Sequence, residues 1–129
     1  MSDKVAILGA GLVGSAWAIV FARAGRTVSL YDADAAQSQH ALTRVGDNMR
    51  ELVGFGLLDD AEAALSRISI ADGLAEALDS AAYAQESVFE RADVKTEFYA
   101  EIDKAAGADL VIGSSSSGIP ASVFTEGLD

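Results

Sequence analysis

The chain has 129 residues, of which 50% are hydrophobic, enough apolar material for one ordinary core. Nine Lys and Arg residues against 20 Asp and Glu residues give a formal charge of -11, which disfavours binding to nucleic acid or to anionic membranes. With no cysteine and a single histidine, His40, the chain lacks the residues for a disulfide, a thiolate metal site or a multi-histidine metal site. No metal is expected.

The N-terminal segment MSDKVAILGAG carries no basic region and reaches glycine too early for a signal helix. We therefore expect a cytoplasmic protein. The chain has one proline and no Gly/Ser-rich linker or internal repeat, so we expect one domain over residues 1–129.

Short β-rich segments alternate with helical patterns along the chain. A first strand at 4–8 is followed by a helix over 12–24, which ends at Gly25, and by a second strand at 27–31. A longer polar segment, 33–58, and a short helix capped by Asp59 or Asp60 predict an inserted helical pair. Further strands are expected at 67–71, 82–86 and 109–113. This alternation predicts an α/β fold, a doubly wound parallel sheet with helices on both faces.

Gly9, Gly11 and Gly14 form a G-x-G-x-x-G motif between the first strand and the first helix. The first glycine turns the chain, the second lets the backbone approach a diphosphate, and the third lets the helix pack closely on the sheet. Backbone N–H groups at the start of the helix, at Leu12 and Val13, would then face the phosphates. The motif in this context predicts a Rossmann-type dinucleotide site.

Asp32 ends the second strand, 18 residues after Gly14, where a carboxylate can accept hydrogen bonds from the adenosine ribose. A 2′-phosphate would be repelled there, so the expected cofactor is NAD rather than NADP. Two alternatives stay open: Asp32 caps the next helix, or the glycine turn serves a flavin.

The segments AQESVFERADVKTEF and VIGSSSSGIPAS resemble the N-terminal domain of 3-hydroxyacyl-CoA dehydrogenases, and the similarity spans the whole chain. The phrases LYDAD, QESVFER and SSSSGIPAS are most similar to the lambda-crystallin branch, which includes L-gulonate 3-dehydrogenase and carnitine 3-dehydrogenase. The resemblance implies hydride transfer between NAD and the C3 hydroxyl of a 3-hydroxy acid or 3-hydroxyacyl-CoA, within fatty acid metabolism.

The resemblance also implies roles for later residues. Glu90 and Lys95 match residues that lie beside the nicotinamide half of the cofactor, and Ser117 matches the serine that contacts the substrate oxygen and the nicotinamide ribose. Ser115 stands where many acyl-CoA enzymes carry asparagine. By composition alone, Glu90 and Lys95 could instead be a solvated helix start, and GSSSSG a flexible connector.

The histidine that removes the hydroxyl proton in the family has no counterpart here, because His40 falls in the helix after Asp32, where a surface or partly buried position is expected. We therefore expect this chain to bind NAD without turning over substrate. The C-terminal helical domain of the family, which closes the substrate site and forms the homodimer of the full-length parent, is absent from these residues. A non-catalytic nucleotide sensor or a crystallin-like structural protein is the alternative.

Substrate choice depends on the helix after Asp32. Asn48 and Phe55 stand where acyl-CoA members place a serine and a lysine that assist CoA, and Arg44 and Arg50 are the only cations of that helix. This favours a small free 3-hydroxy acid, with an acyl-CoA as the alternative.

Overall fold

The computed structural model describes residues 3–128, in which five strands alternate with six helices. The strands are β1 Lys4–Leu8, β2 Thr27–Tyr31, β3 Ile68–Ile70, β4 Tyr83–Glu86 and β5 Val111–Ser114. The helices are α1 Leu12–Arg23, α2 Ala35–Gly54, α3 Ala61–Leu65, α4 Leu74–Leu78, α5 Ala92–Ala105 and α6 Ala121–Thr125.

All strand pairs are parallel, and the strand order is β3-β2-β1-β4-β5. β1 therefore lies at the centre of the sheet. The chain adds β2 and then β3 on one side of β1, and β4 and then β5 on the other side. The register aligns Leu8 with both Tyr31 and Glu86, and Glu86 with Ser114, so β1, β2, β4 and β5 end at one level. In such a sheet the crevice beyond the strand ends, where the winding reverses, is the usual ligand site.

Two apolar clusters lie on opposite faces of the sheet, because alternate residues of each strand point to opposite sides. Val5 and Ile7 of β1 pack with α1, α2 and α3, whereas Ala6 and Leu8 pack with α4, α5 and α6. The predicted doubly wound fold and the helical pair after β2 are confirmed.

The buried residues of α1 are small ones, and several of its large apolar residues are exposed. Gly14, Ser15, Ala18 and Ala22 are buried. Leu12, Val13 and Val20, although large and apolar, are 74%, 53% and 51% exposed. Small side chains let α1 approach β1 closely, so side-chain size rather than hydrophobicity decides which face packs.

The remaining differences are at element ends. The structure shortens the third, fourth and fifth predicted strands, and adds α4, whose five residues are too few for a visible period. Asp60 rather than Asp59 caps α3, accepting from the Ala63 N–H at 3.1 Å. No helix within residues 3–128 is long and apolar enough to cross a membrane.

Candidate functional site

A crevice of about 570 Å³ opens at the carboxyl ends of β1, β2 and β4. It is lined by the glycine turn and the start of α1, by the residues that follow β2, and by the β4–α5 segment: Gly9, Gly11, Leu12, Val13, Tyr31, Asp32, Ala33, Asp34, Gln37, Ser87, Val88, Phe89, Val94 and Phe98. The predicted glycine motif and Asp32 therefore share one site.

The three glycines of the motif have three different environments. Gly9 has a φ of 105°, and a Cβ there would lie 2.6 Å from the Ser87 carbonyl oxygen, so neither its conformation nor its space accepts a side chain. A Cβ on Gly14 would overlap the Gly9 carbonyl oxygen. A Cβ on Gly11 would meet no protein atom within 4 Å. Gly11 thus leaves open space on the crevice side, as the predicted approach of a diphosphate requires.

Gly11 is also the N-cap of α1, with no side-chain bond to the first N–H groups of the helix. The first N–H groups of any helix lack partners within that helix, and the helix dipole adds positive potential at this end. No acidic side chain occupies the first turn of this 12-residue helix. The start of α1 is therefore suited to an anionic group in the crevice.

Asp32 holds the glycine turn as well as facing the crevice. Its Oδ2 accepts from the Ala10 N–H at 2.9 Å and its Oδ1 accepts from the Asp34 N–H at 2.9 Å. Asp34, not Asp32, caps α2 by accepting from the Ala36 N–H at 3.0 Å, so the capping alternative for Asp32 is wrong. Each carboxylate oxygen can accept more than one hydrogen bond, which leaves Asp32 able to accept from ribose hydroxyls.

A buried carboxylate, that of Glu86, lies at the end of β4. Its Oε2 accepts from the Lys95 ammonium at 2.6 Å and the Val88 N–H at 2.9 Å. Its Oε1 accepts from the Ser114 hydroxyl at 2.6 Å and the Tyr99 hydroxyl at 3.1 Å. The Glu86 and Lys95 side chains are 0% and 1% exposed, so this ion pair is withdrawn from water. It ties β4, α5 and β5 together.

Glu90 organises the loop after β5. Its carboxylate accepts from the Ser116 hydroxyl at 2.8 Å and from the Ser117 N–H at 3.0 Å, and its Oε1 lies 3.9 Å from the Lys95 ammonium. The structure therefore brings together Glu90, Lys95 and Ser117, the three residues that the resemblance marks for the nicotinamide half. Lys95 is not part of a solvated helix start, because it is buried against Glu86, and the serine segment is bonded to its surroundings rather than being a free connector.

Two pKa values follow from these contacts. The hydrogen bond from the Ser116 hydroxyl, with that from the Ser117 N–H, holds the pKa of Glu90 below its ordinary value of 4.5. Burial, together with the negative charge of Glu86, raises the pKa of the Tyr99 hydroxyl well above its ordinary value of 10.0. Tyr99 is thus a fixed hydrogen-bond donor to Glu86.

Ser115 and Ser117 differ in what they face. The Ser115 hydroxyl accepts from the Gln85 amide at 3.0 Å and lies 2.7 Å from the Ser87 hydroxyl. Ser117 is exposed, and no group among residues 3–128 bonds its hydroxyl. His40 is exposed on α2 and does not line the crevice.

Glu86 and its partners Ser114 and Tyr99 were not predicted from the sequence as site residues. A glutamate at the end of a strand is expected to be exposed. Its only local signal is Lys95 nine residues later, since Tyr99 and Ser114 reach it from other elements.

Comparison with known proteins places the chain in a family. The family described as 3-hydroxyacyl-CoA dehydrogenase, NAD binding domain, matches residues 4–129. Lambda-crystallin of Oryctolagus cuniculus is 39% identical over 128 residues, which cover 96% of this chain and 40% of that protein. L-carnitine dehydrogenase/betainyl-CoA thioesterase of Agrobacterium fabrum is 36% identical over 124 residues, covering 96% of this chain and 25% of that protein. This chain thus spans well under half the length of these relatives.

The solved structures agree with the sequence relatives. (S)-3-hydroxybutyryl-CoA dehydrogenase from Ralstonia eutropha superposes with a TM-score of 0.89 at 26% identity, over 97% of this chain and 44% of that one. The glycine turn, the open position at Gly11 and the carboxylate of Asp32 fit the dinucleotide that this family binds. The chain therefore belongs to the 3-hydroxyacyl-CoA dehydrogenase family as an NAD-binding domain, and its cofactor is NAD.

Proposed function

We propose that this chain is the cofactor-binding part of a dehydrogenase that transfers hydride between NAD and the C3 hydroxyl of a 3-hydroxy acid or 3-hydroxyacyl-CoA. The observation that carries the proposal is the open space at Gly11, at the start of α1, in the same crevice as Asp32. The names of its relatives, which include L-carnitine dehydrogenases and (S)-3-hydroxybutyryl-CoA dehydrogenase, support the reaction class.

In this proposal the diphosphate lies against the backbone of Gly9 and Gly11 and the first N–H groups of α1, at Leu12 and Val13. Gly14 contributes by letting α1 approach the turn. The Asp32 carboxylate accepts from the adenosine ribose and repels a 2′-phosphate, so the site selects NAD over NADP. Bound NAD supplies a hydride acceptor at its nicotinamide ring.

On the other side of the turn, Ser115, Ser117, Glu90 and Lys95 serve the nicotinamide half. The Ser117 hydroxyl would contact the nicotinamide ribose and the substrate oxygen, because its backbone is held by Glu90 while its hydroxyl is free of protein partners within residues 3–128. Lys95 acts on this loop through Glu90, since its ammonium is bonded to Glu86. A hydroxyl can both donate to and accept from a reacting oxygen.

The histidine that accepts the substrate proton in the family has no counterpart in this sequence, because its only histidine is His40, which lies exposed on α2. We therefore propose that residues 1–129 act as one cofactor domain that binds NAD without turnover. The complete parent enzyme would use a further helical domain for the substrate and for homodimer formation. We place it in the cytoplasm and in fatty acid metabolism.

The cations of α2 favour a small free 3-hydroxy acid over an acyl-CoA. The Arg44 guanidinium donates to the Ser15 hydroxyl at 2.9 Å, and Arg50 pairs with Asp47 at 3.4 Å and Glu62 at 3.1 Å. Phe55 is 70% exposed where a CoA-binding member would carry a lysine. The charge available for a CoA phosphate on this helix is thus already engaged.

Calorimetric titration of the folded chain with NADH and NADPH tests the cofactor site. We expect NADH to bind more tightly than NADPH, and Gly11→Val to weaken NADH binding by at least about tenfold because its side chain fills the diphosphate position. The backbone of Gly11, at φ -79°, accepts valine, so stability should change by less than about 1 kcal/mol.

Gly107→Val is the matched control, since a Cβ there also meets nothing within 4 Å but lies outside the crevice. It should leave NADH affinity unchanged. If NADH gives no binding heat with the well-folded chain, the proposed cofactor site is refuted. If these 129 residues show measurable dehydrogenase turnover, their proposed dependence on a further domain is refuted.

A further inference from the structure

A row of four hydrogen-bonded side chains runs along one face of the sheet and ends in the crevice. The Tyr83 hydroxyl bonds the Gln85 Oε1, the Gln85 Nε2 donates to the Ser115 hydroxyl at 3.0 Å, and Ser115 lies 2.7 Å from the Ser87 hydroxyl. Tyr83, Gln85 and Ser87 alternate along β4 and its extension, so they share a face. Of the four, only Ser87 lines the crevice.

The row has a direction. The Tyr83 hydroxyl donates its one hydrogen bond to the Gln85 Oε1. The Gln85 NH₂ group, which can only donate, therefore faces Ser115. If the Ser115 hydroxyl donates to Ser87, the hydroxyl protons of Tyr83 and Ser115 and one proton of the Gln85 amide all have acceptors within the row. The reverse order would leave the Ser115 proton without an acceptor among residues 3–128.

This direction leaves one hydroxyl proton over, that of Ser87, and it can be donated into the crevice that Ser87 lines. Gln85 is 5% exposed, so its amide cannot exchange its partners for water without cost. The Ser87 backbone is fixed too: its N–H donates to the Leu8 carbonyl at 2.7 Å, and its own carbonyl packs against Gly9. Ser87 therefore presents an oriented donor beside the glycine turn.

The strand order decides which part of a dinucleotide lies there. Asp32 follows β2, the glycine turn follows β1, and Ser87 follows β4 on the opposite side of β1. A ligand whose adenosine lies at Asp32 and whose diphosphate lies at Gly11 extends next over β4. Ser87 thus faces the part of the ligand beyond its diphosphate.

We propose that Ser87 donates a hydrogen bond to an oxygen on the nicotinamide-riboside side of the bound dinucleotide, and that Tyr83, Gln85 and Ser115 are positioning residues that orient this donor. The proposal rests on the proposed cofactor site. It assigns to Ser87 a binding role of its own, since Ser87 is not among the positions that the family resemblance marks, which are Glu90, Lys95, Ser115 and Ser117.

Two ligands separate this role from a structural one. NADH carries the second ribose and the nicotinamide, whereas ADP ends at the diphosphate. We expect Ser87→Ala to weaken NADH binding by about two- to tenfold, the effect of one neutral hydrogen bond, and to leave ADP binding unchanged. A general loosening of the crevice would weaken both ligands together.

Tyr83→Phe is the second variant, and it leaves Ser87 in place. Without the tyrosine hydroxyl, the Gln85 amide is free to turn its oxygen toward Ser115. Ser115 can then donate to Gln85 and accept from Ser87, so the Ser87 proton is no longer directed at the ligand. NADH affinity should fall by a smaller factor than in Ser87→Ala, again with ADP unaffected. Ser69→Ala, at an exposed serine of the opposite edge strand β3, is the matched control and should bind both ligands normally.

The titrations are made by calorimetry, with circular dichroism to show that each variant is folded. If the unaltered chain binds NADH and Ser87→Ala binds it equally well, the role of Ser87 is refuted while the cofactor site stands. If Ser87→Ala weakens ADP as much as NADH, the assignment to the nicotinamide side is wrong. If the unaltered chain binds neither ligand, the cofactor site itself fails.

Discussion

Replacing Lys95 with methionine should destabilise the fold far more than replacing any surface cation. Methionine keeps much of the length and the apolar stem of lysine but removes the ammonium that lies 2.6 Å from the Glu86 carboxylate. Glu86 is 0% exposed and cannot turn to water for compensation. The ammonium also lies 5.7 Å from the centre of the Phe124 ring, a further contact that methionine cannot reproduce electrostatically.

The magnitude follows from that geometry. Two unit charges 2.6 Å apart attract by about 6 kcal/mol at an effective dielectric constant of about 20. Three other donors remain on Glu86 after the substitution, from Tyr99, Ser114 and Val88, and they offset part of the loss. Removing one partner of a buried pair typically costs about 3–5 kcal/mol, and we expect a value in this range. For a chain of this size the melting temperature should fall by roughly 10–20 °C.

Urea unfolding at low temperature measures the effect in four proteins: the unaltered chain, Lys95→Met, Glu86→Gln and the double variant. Because the double variant contains neither charge, its loss should be smaller than the sum of the single losses by about 2 kcal/mol or more. Arg91→Met is the matched control, since Arg91 pairs with Asp93 at 2.8 Å on the exposed start of the same helix. Its loss should stay below about 1 kcal/mol.

A Lys95→Met loss no larger than that of Arg91→Met would refute the reasoning. So would additive single losses, because they would mean that Lys95 and Glu86 do not compensate each other.

Two further results are expected. The pKa of Glu90 lies below 4.5, so the bonds it accepts from the serine loop stabilise the folded chain above pH 4.5, and that contribution disappears as the pH falls through the lowered value. Carbon-13 NMR titration of the Glu90 carboxyl should show this midpoint, and Ser116→Ala should raise it; an unchanged midpoint would contradict the role of the Ser116 hydroxyl. Gly14→Ala should cost about 2–4 kcal/mol in urea unfolding, because its methyl group would overlap the Gly9 carbonyl oxygen and push α1 from the sheet. A free energy of unfolding within about 1 kcal/mol of that of the unaltered chain would contradict this, because it would mean that α1 can shift to accommodate the methyl group.

The strands and the winding of the fold could be predicted because β1 and β2 are short apolar runs separated by one helix and bounded by glycine. The packing face of α1 could not be predicted from hydrophobicity. Its large apolar residues Leu12 and Val13 face the crevice, while its small residues approach β1. Steric fit, which depends on the neighbouring strand, decided the orientation.

At the site, the glycine turn and Asp32 were predictable because their spacing along the chain is short and is fixed by one βαβ unit. The resemblance supplied Glu90, Lys95 and Ser117. The environment of Glu86 was not predictable, since it arises where β4, α5 and β5 meet. Ser114, for example, is 28 residues from Glu86 along the chain. The row that ends at Ser87 has the same origin, because Ser115 reaches it across the sheet.

The bond between the Asp32 carboxylate and the Ala10 amide bears on attempts to change cofactor preference. Exchanging this acid for a small neutral residue, to admit a phosphorylated ribose, would also remove the hydrogen bond that holds the turn after β1. Losses of activity after such engineering would then mix a loosened scaffold with altered recognition. A redesign should keep an oxygen acceptor for that amide and introduce the new cation from a neighbouring position, so that the two effects are separated.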